Sequence, residues 1–160
     1  MPQNNASDGP PIEIKSVGII GAGQMGSGIA HVCALAGFDV ILQDLQEAQL
    51  AKAAEGIERN LARQIKKQLI SEDEKASALA RISSGTEMAL FADCDLVIEA
   101  AIENEAVKRE ILQALCPLIK EETVICTNTS SISVTRLAAI TDRPERFIGM
   151  HFMNPVPSLL

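Results

Sequence analysis

A chain of 160 residues is long enough for one domain with a real core, and 47% hydrophobic with 22% charged residues is an ordinary globular composition. A net charge of −7, a sequence pI of about 4.8 and the absence of Trp and Tyr argue against nucleic-acid or anionic-membrane binding as the main role. Cys33, Cys94, Cys116 and Cys126 include no C-x-x-C spacing and the two histidines lie far from any paired cysteine, so no metal site is expected.

Residues 1–13 read as a flexible N-terminal tail, polar from Met1 to Pro11 with prolines at Pro2, Pro10 and Pro11. The tail has no basic n-region and no apolar h-region, so it is not read as a signal or transit peptide. No apolar run reaches membrane-spanning length. Residues 14–160 read as one domain. Its first strand is Ser16 to Ile20, and its first helix runs from about Gln24 to Ala36, with Gly37 as its stop.

Between them lies Gly21-Ala22-Gly23-Gln24-Met25-Gly26, a G-x-G-x-x-G in the strand–turn–helix setting that gives the pattern meaning. Gly21 makes the tight turn, Gly23 lets a pyrophosphate approach the backbone, and Gly26 lets the helix pack against the sheet. The amides of the helix start, including those of Gln24 and Met25, face the phosphates. A second strand, Asp39 to Gln43, ends at Asp44, eighteen positions past Gly26. That is close to the roughly 20 expected for a carboxylate that holds the adenosine ribose. A carboxylate there repels a 2′-phosphate, which favours NAD over NADP. The alternative role for Asp44 is an N-cap for the following helix.

A long amphipathic stretch follows, about Glu47 to Leu69, with Leu50, Ala54, Ile57, Leu61, Ile65 and Leu69 on one helical face. Ser71 and Glu74 form a capping box for a helix over Glu72 to Arg81, so the two helices are expected to make a projecting hairpin. Ile82-Ser83 is a weak third strand, Asp95 to Ala100 a strong fourth and Thr123 to Cys126 a fifth. A helix over Ala106 to Ile119 lies between the last two. A short helix around Ser133 to Ile140 leads to a sixth strand, Arg146 to Met150. Alternation of strands and helices predicts an α/β fold of Rossmann type, doubly wound around a mainly parallel sheet. The cysteines, all within apolar elements, read as reduced core residues of a cytoplasmic protein.

Ligands of such sheets bind beyond the carboxyl ends of the strands. There the sequence places the glycines, Asp44, Glu103-Asn104-Glu105, Asn128-Thr129-Ser130-Ser131 and His151-Phe152-Met153-Asn154-Pro155. His151 is the candidate general base, with an ordinary pKa of about 6.5 suited to proton exchange near neutrality. Ser130 is either a hydroxyl donor to a substrate oxygen or a turn contact. His31, inside the first helix, reads as a packed or surface residue. Arg59, Arg63, Lys66 and Lys67 either complement the helix dipole or form an anion site.

Four blocks carry a resemblance: Gly21 to Gly26, Val97 to Asn104, Asn128 to Ser131 and Arg146 to Pro157. Together they resemble the NAD-binding domain of the 3-hydroxyacyl-CoA dehydrogenases, nearest to the bacterial 3-hydroxybutyryl-CoA dehydrogenases, over Ile14 to Pro157. The resemblance implies NAD as cofactor and an acyl-CoA substrate. It implies His151 as catalytic base and Ser130 as the contact to the substrate oxygen and cofactor. It further implies Asp44 at the adenosine ribose, Glu103, Lys108 and Asn154 around the nicotinamide half, and Asn60 and Lys67 on coenzyme A.

The implied reaction is hydride transfer between C3 of an (S)-3-hydroxyacyl-CoA and NAD, in fatty-acid or butanoate metabolism. The resemblance also implies a glutamate partner for His151 about a dozen residues further on, past Leu160, and a helical C-terminal domain that closes the cleft and forms a dimer interface. On that expectation these residues alone bind NAD but turn over poorly. The competing reading is a stand-alone NAD-binding module without catalysis.

Overall fold

A computed structural model describes residues 11–158, so the expectation for most of the N-terminal tail lies outside the described residues. Six parallel strands form one sheet: β1 (Ser16–Ile20), β2 (Asp39–Gln43), β3 (Ile82–Gly85), β4 (Leu96–Glu99), β5 (Val124–Thr127) and β6 (Phe147–Gly149). Their order is β3-β2-β1-β4-β5-β6, so the chain winds outward from β1 first to one side and then to the other. This is the doubly wound Rossmann arrangement, with its switch point between β1 and β4.

Alternation along the strands feeds two cores. Ile19, Ile98 and Cys126 face one side, with α1 (Gln24–Leu35), α2 (Glu47–Lys66) and α3 (Glu72–Arg81) packed over them. Ile20, Val97 and Ile125 face the other, covered by α4 (Glu105–Leu115) and α5 (Val134–Ala138). Burial of both faces explains why the strands read as apolar runs rather than as alternating patterns.

The buried stripe of α2 is Leu50, Ala53, Ile57, Leu61 and Gln64. Ala54 is exposed where the sequence spacing put it on the inner face, and Leu69 lies beyond the helix end, 58% exposed. The four-residue step from Leu50 misses because the core follows the 3.6-residue pitch, which drifts toward position 53. The capping box of α3 is formed: Ser71 Oγ accepts from Glu74 N at 3.1 Å, and Glu74 Oε2 accepts from Ser71 N at 2.7 Å.

Other boundaries shift by a few residues. The helix expected over Ala106 to Ile119 opens one residue earlier, where Asn104 Oδ1 accepts from Val107 N, and tightens to a 3-10 turn over Cys116–Leu118 around Pro117. The third strand extends to Gly85. Residues Met88–Phe91 form a 3-10 turn that places the Phe91 ring in the core against Gly18. A Cβ on Gly18 would lie 2.4 Å from that ring, so a small residue inside β1 makes room for a large one from a loop.

A candidate dinucleotide and acyl-CoA site

The glycine loop divides its work among three residues. Gly21 has φ +100°, a conformation that glycine adopts freely, and a Cβ on it would lie 2.6 Å from the carbonyl oxygen of Ala100 on the neighbouring β4. A Cβ on Gly26 would lie 1.7 Å from the carbonyl oxygen of Gly21. Its close approach is therefore to the turn itself, more than to the sheet that the sequence reading named. Around Gly23 nothing lies within 4 Å of a Cβ position. That open face lies at the start of α1, where the amides of Gln24, Met25 and Gly26 have no carbonyl one turn earlier in the helix to bond. An open backbone face beside unspent amides fits a pyrophosphate. The Met25 side chain is half-buried against the core, so only its backbone serves the rim.

Asp44 does not cap α2, whose N-cap is Gln46. Its Oδ2 accepts from Ala22 N at 3.0 Å and its Oδ1 from Gln46 N at 3.0 Å. The carboxylate is thus fixed against the glycine loop.

Beyond β4 and β5 a polar network stiffens the rim. Glu99, fully buried at the end of β4, accepts from Lys108 Nζ at 2.6 Å, Ala101 N at 2.7 Å and Thr127 Oγ1 at 2.8 Å. Lys108 is itself 1% exposed and also donates to Ala101 O at 3.3 Å. Lys108 therefore sits beneath the rim as half of a buried ion pair, while Glu103 stands exposed above it. Glu103 accepts from Thr129 Oγ1, and the same hydroxyl takes the amides of Ser131 and Ile132. Arg136 of α5 pairs with Glu105 at the start of α4 at 2.5 Å.

Ser130 and His151 are both exposed, each just past the end of one of two adjacent strands. Among the described residues neither side chain has a hydrogen-bond partner. His31 is packed, 1% exposed, with Nε2 2.8 Å from Gln64 Oε1 and, among the described residues, no partner for Nδ1. Burial lowers its pKa below the usual 6.5.

A groove of about 740 Å³ unites residues far apart in the chain. Gly23 and Gln24 of the loop, Asn60 of α2 and Lys67 at its C-cap, and Asn154 after β6 all line it. Lys52, Arg59 and Arg63 join them on the same wall. His151, Ser130, Asp44, Glu103 and Lys108 do not line this groove.

Sequence reasoning did not single out Glu99, Thr127 or Thr129, nor the tether made by Asn128, whose Oδ1 accepts from Phe152 N. A carboxylate inside the otherwise apolar run Leu96–Glu99 is a signal for the first, since a charge in a buried strand needs a partner. The threonines carry no such signal.

All four cysteines are free thiols, and burial pushes Cys126 up to about 12 and Cys33 to about 11. No helix among the described residues is long and apolar enough to cross a membrane.

Comparison with known proteins places this geometry. Residues 16–159 match the family model described as 3-hydroxyacyl-CoA dehydrogenase, NAD binding domain. A 3-hydroxybutyryl-CoA dehydrogenase of Bradyrhizobium diazoefficiens is 58% identical over 144 residues, covering 90% of this chain and 49% of that protein. The mitochondrial hydroxyacyl-coenzyme A dehydrogenase of Rattus norvegicus is 43% identical over 155 residues, covering 92% of this chain and 49% of that protein. The crystal structure of the (S)-3-hydroxybutyryl-CoA dehydrogenase PaaH1 from Ralstonia eutropha superposes with a TM-score of 0.88 at 48% identity, covering 91% of this chain and 51% of that one. The chain thus spans about half the length of the relatives it matches. With its Rossmann sheet and glycine loop, it belongs to the 3-hydroxyacyl-CoA dehydrogenase family, as the NAD-binding domain of that family.

Proposed function

We propose that this chain is the cofactor-binding part of an NAD-dependent dehydrogenase that oxidises (S)-3-hydroxyacyl-CoA, and 3-hydroxybutyryl-CoA in particular, to the 3-ketoacyl-CoA. The observation that carries the reading is the groove, which joins an open glycine-loop face to a basic helix wall. That pairing suits two phosphate-bearing molecules brought together.

NAD, when bound, supplies the carbon that accepts the hydride from C3 of the substrate. His151 takes the C3 hydroxyl proton on its imidazole, and Ser130 donates a hydrogen bond to the same oxygen. Asp44 accepts from the adenosine ribose. Glu103, Lys108 and Asn154 serve the nicotinamide half, with Lys108 acting from beneath through its ion pair to Glu99. Asn60 and Lys67 hold coenzyme A. Residues 14–160 act as one domain, and residues 1–13 as a tail. The whole enzyme works as a dimer in the cytoplasm, in fatty-acid or butanoate metabolism; the four free thiols support a reducing compartment.

The exposed and unpartnered His151 favours a second reading of the chain on its own, as a module that binds NAD without turning over. A base without an orienting carboxylate loses orders of magnitude in rate. The experiment is NADH titration of the purified chain followed by NADH oxidation with acetoacetyl-CoA, repeated on a chain extended past residue 160 as in the relatives. Binding with weak turnover, restored on extension, is the expected result. Failure to bind NADH overturns the proposal. Binding without turnover in either chain favours the module.

A further inference from the structure

Each of the nine glycines within the described residues answers to a local cause except two. Gly18, Gly26, Gly28, Gly85 and Gly149 have a neighbour within 3.1 Å of where a Cβ would be, and Gly21 and Gly37 have positive φ. Gly23 and Gly56 have neither. Gly23 is accounted for by the pyrophosphate. Gly56 lies in the middle of the twenty-residue α2, where glycine weakens a helix relative to alanine. The nearest atom to its Cβ position is the tip of Arg59, at 3.9 Å. No packing in the protein requires a glycine there.

The two unexplained glycines line the same groove. Lys52, Gly56, Arg59, Arg63 and Lys67 follow one another at steps of three or four residues, so they form one row along the helix face. Among the described residues none of the four cations in that row is paired with a carboxylate, in a chain of net charge −7. Glu58, on another face of α2, pairs instead with Lys75 of α3. A row of cations free of carboxylate partners, with a gap between Lys52 and Arg59, is suited to an anionic group that reaches the helix backbone itself.

We infer that Gly56 is a specificity-determining contact: the phosphate-bearing nucleotide part of coenzyme A lies directly on the α2 backbone at Gly56, between Lys52 and Arg59. This rests on the acyl-CoA reading above. A methyl group at position 56 holds the nucleotide away from the backbone and from the flanking cations, although it improves the helix. The position thus gives up helix stability for ligand approach, as positions that serve binding do.

The test is calorimetric titration of the wild-type chain and of Gly56→Ala with free CoA, adenosine 3′,5′-bisphosphate and NADH, beside thermal melts. The expected result is a melting temperature raised by about 2–4 °C, with CoA and the bisphosphate both weakened about tenfold and NADH unchanged. Gly56→Leu weakens both further. Equal CoA binding by wild type and Gly56→Ala overturns the inference and leaves the acyl-CoA reading standing. So does a loss on NADH rather than on CoA, or a loss on CoA that the bisphosphate does not share. Failure of the wild-type chain to bind either CoA or the bisphosphate, with NADH bound, overturns the acyl-CoA reading of the groove together with this inference.

Discussion

Asn128 Oδ1 accepts the backbone N–H of Phe152 at 2.8 Å, which ties the loop after β5 to the loop after β6. Ser130 lies two residues beyond the first partner and His151 one residue before the second. Together with the backbone bond from Met150 N to Thr127 O at 2.9 Å, this amide side chain holds the spacing between the proposed base and the proposed hydroxyl. Asn128→Ala is expected to cost about 1–2 kcal/mol of stability and to release the Phe152 amide to hydrogen exchange while more distant β1 amides stay protected. Exchange followed by mass spectrometry or NMR checks both.

The glycine loop gives a contrast between two substitutions of identical chemistry. Gly26→Ala drives a methyl group into the Gly21 carbonyl and is expected to destabilise the chain by about 3 kcal/mol or more. Gly23→Ala meets nothing within the protein and leaves the melt near wild type, yet lowers NADH affinity about tenfold or more. Denaturant melts and NADH fluorescence titration separate the two effects.

The Asp44 carboxylate takes two loop amides, and the proposed function gives it the adenosine ribose as well. Asp44→Ala is expected to weaken NADH binding about tenfold to a hundredfold, as loss of charge-assisted hydrogen bonds does, and to narrow the preference over NADPH. Parallel titrations with the two cofactors measure it.

The Glu99–Lys108 pair is expected to show strong non-additivity. Glu99→Gln or Lys108→Met alone leaves a charge in the interior and costs about 3–5 kcal/mol. The double substitution costs less than the sum, and a double-mutant cycle of denaturant melts reads the coupling.

Acidification acts first through His31. The folded protein holds this ring neutral with a lowered pKa, while the unfolded chain takes up a proton near the ordinary value of about 6.5. Below that pH the unfolded state binds more protons, so stability falls as pH drops through 6.5 toward the lower folded value. His31→Gln keeps a polar group beside Gln64 without a titrating ring and removes this step. Asp95, whose carboxylate is held below its usual range by Lys120 and by the amides of Lys15 and Ser16, adds a second loss only below about pH 4. Melting temperatures at pH 7.5, 5.5 and 3.5 distinguish the two groups.

The succession of strands and helices and the loop of Gly21 to Gly26 were legible because they depend on local signals: apolar runs, turn glycines and a capping box all report on neighbours in sequence. Gly26 was read against the wrong partner because its collision with Gly21 depends on the exact path of the turn. The inner face of α2 was misplaced by one residue at Ala54 because a repeat of four drifts from the true pitch. Glu99, Thr127 and Thr129 went unread because their meaning lies in who faces them across neighbouring strands and loops. Gly56 was invisible as a functional residue for a further reason: only the empty space around it shows that nothing in the protein needs it small.

The outward winding of the sheet from β1 has a consequence for the order in which the molecule acquires its abilities. Among the described residues, the stretch through β1, α1 and β2 leaves a ribosome ahead of the rest and carries the glycine loop and Asp44. Ser130 and His151 come later, past β5 and β6 on one flank of the sheet. Only from β1 through β4 and β5 to β6 does sequence time run along the rim, with β2 and β3 extending the other flank, so the growing chain holds its glycine loop before it holds the proposed base.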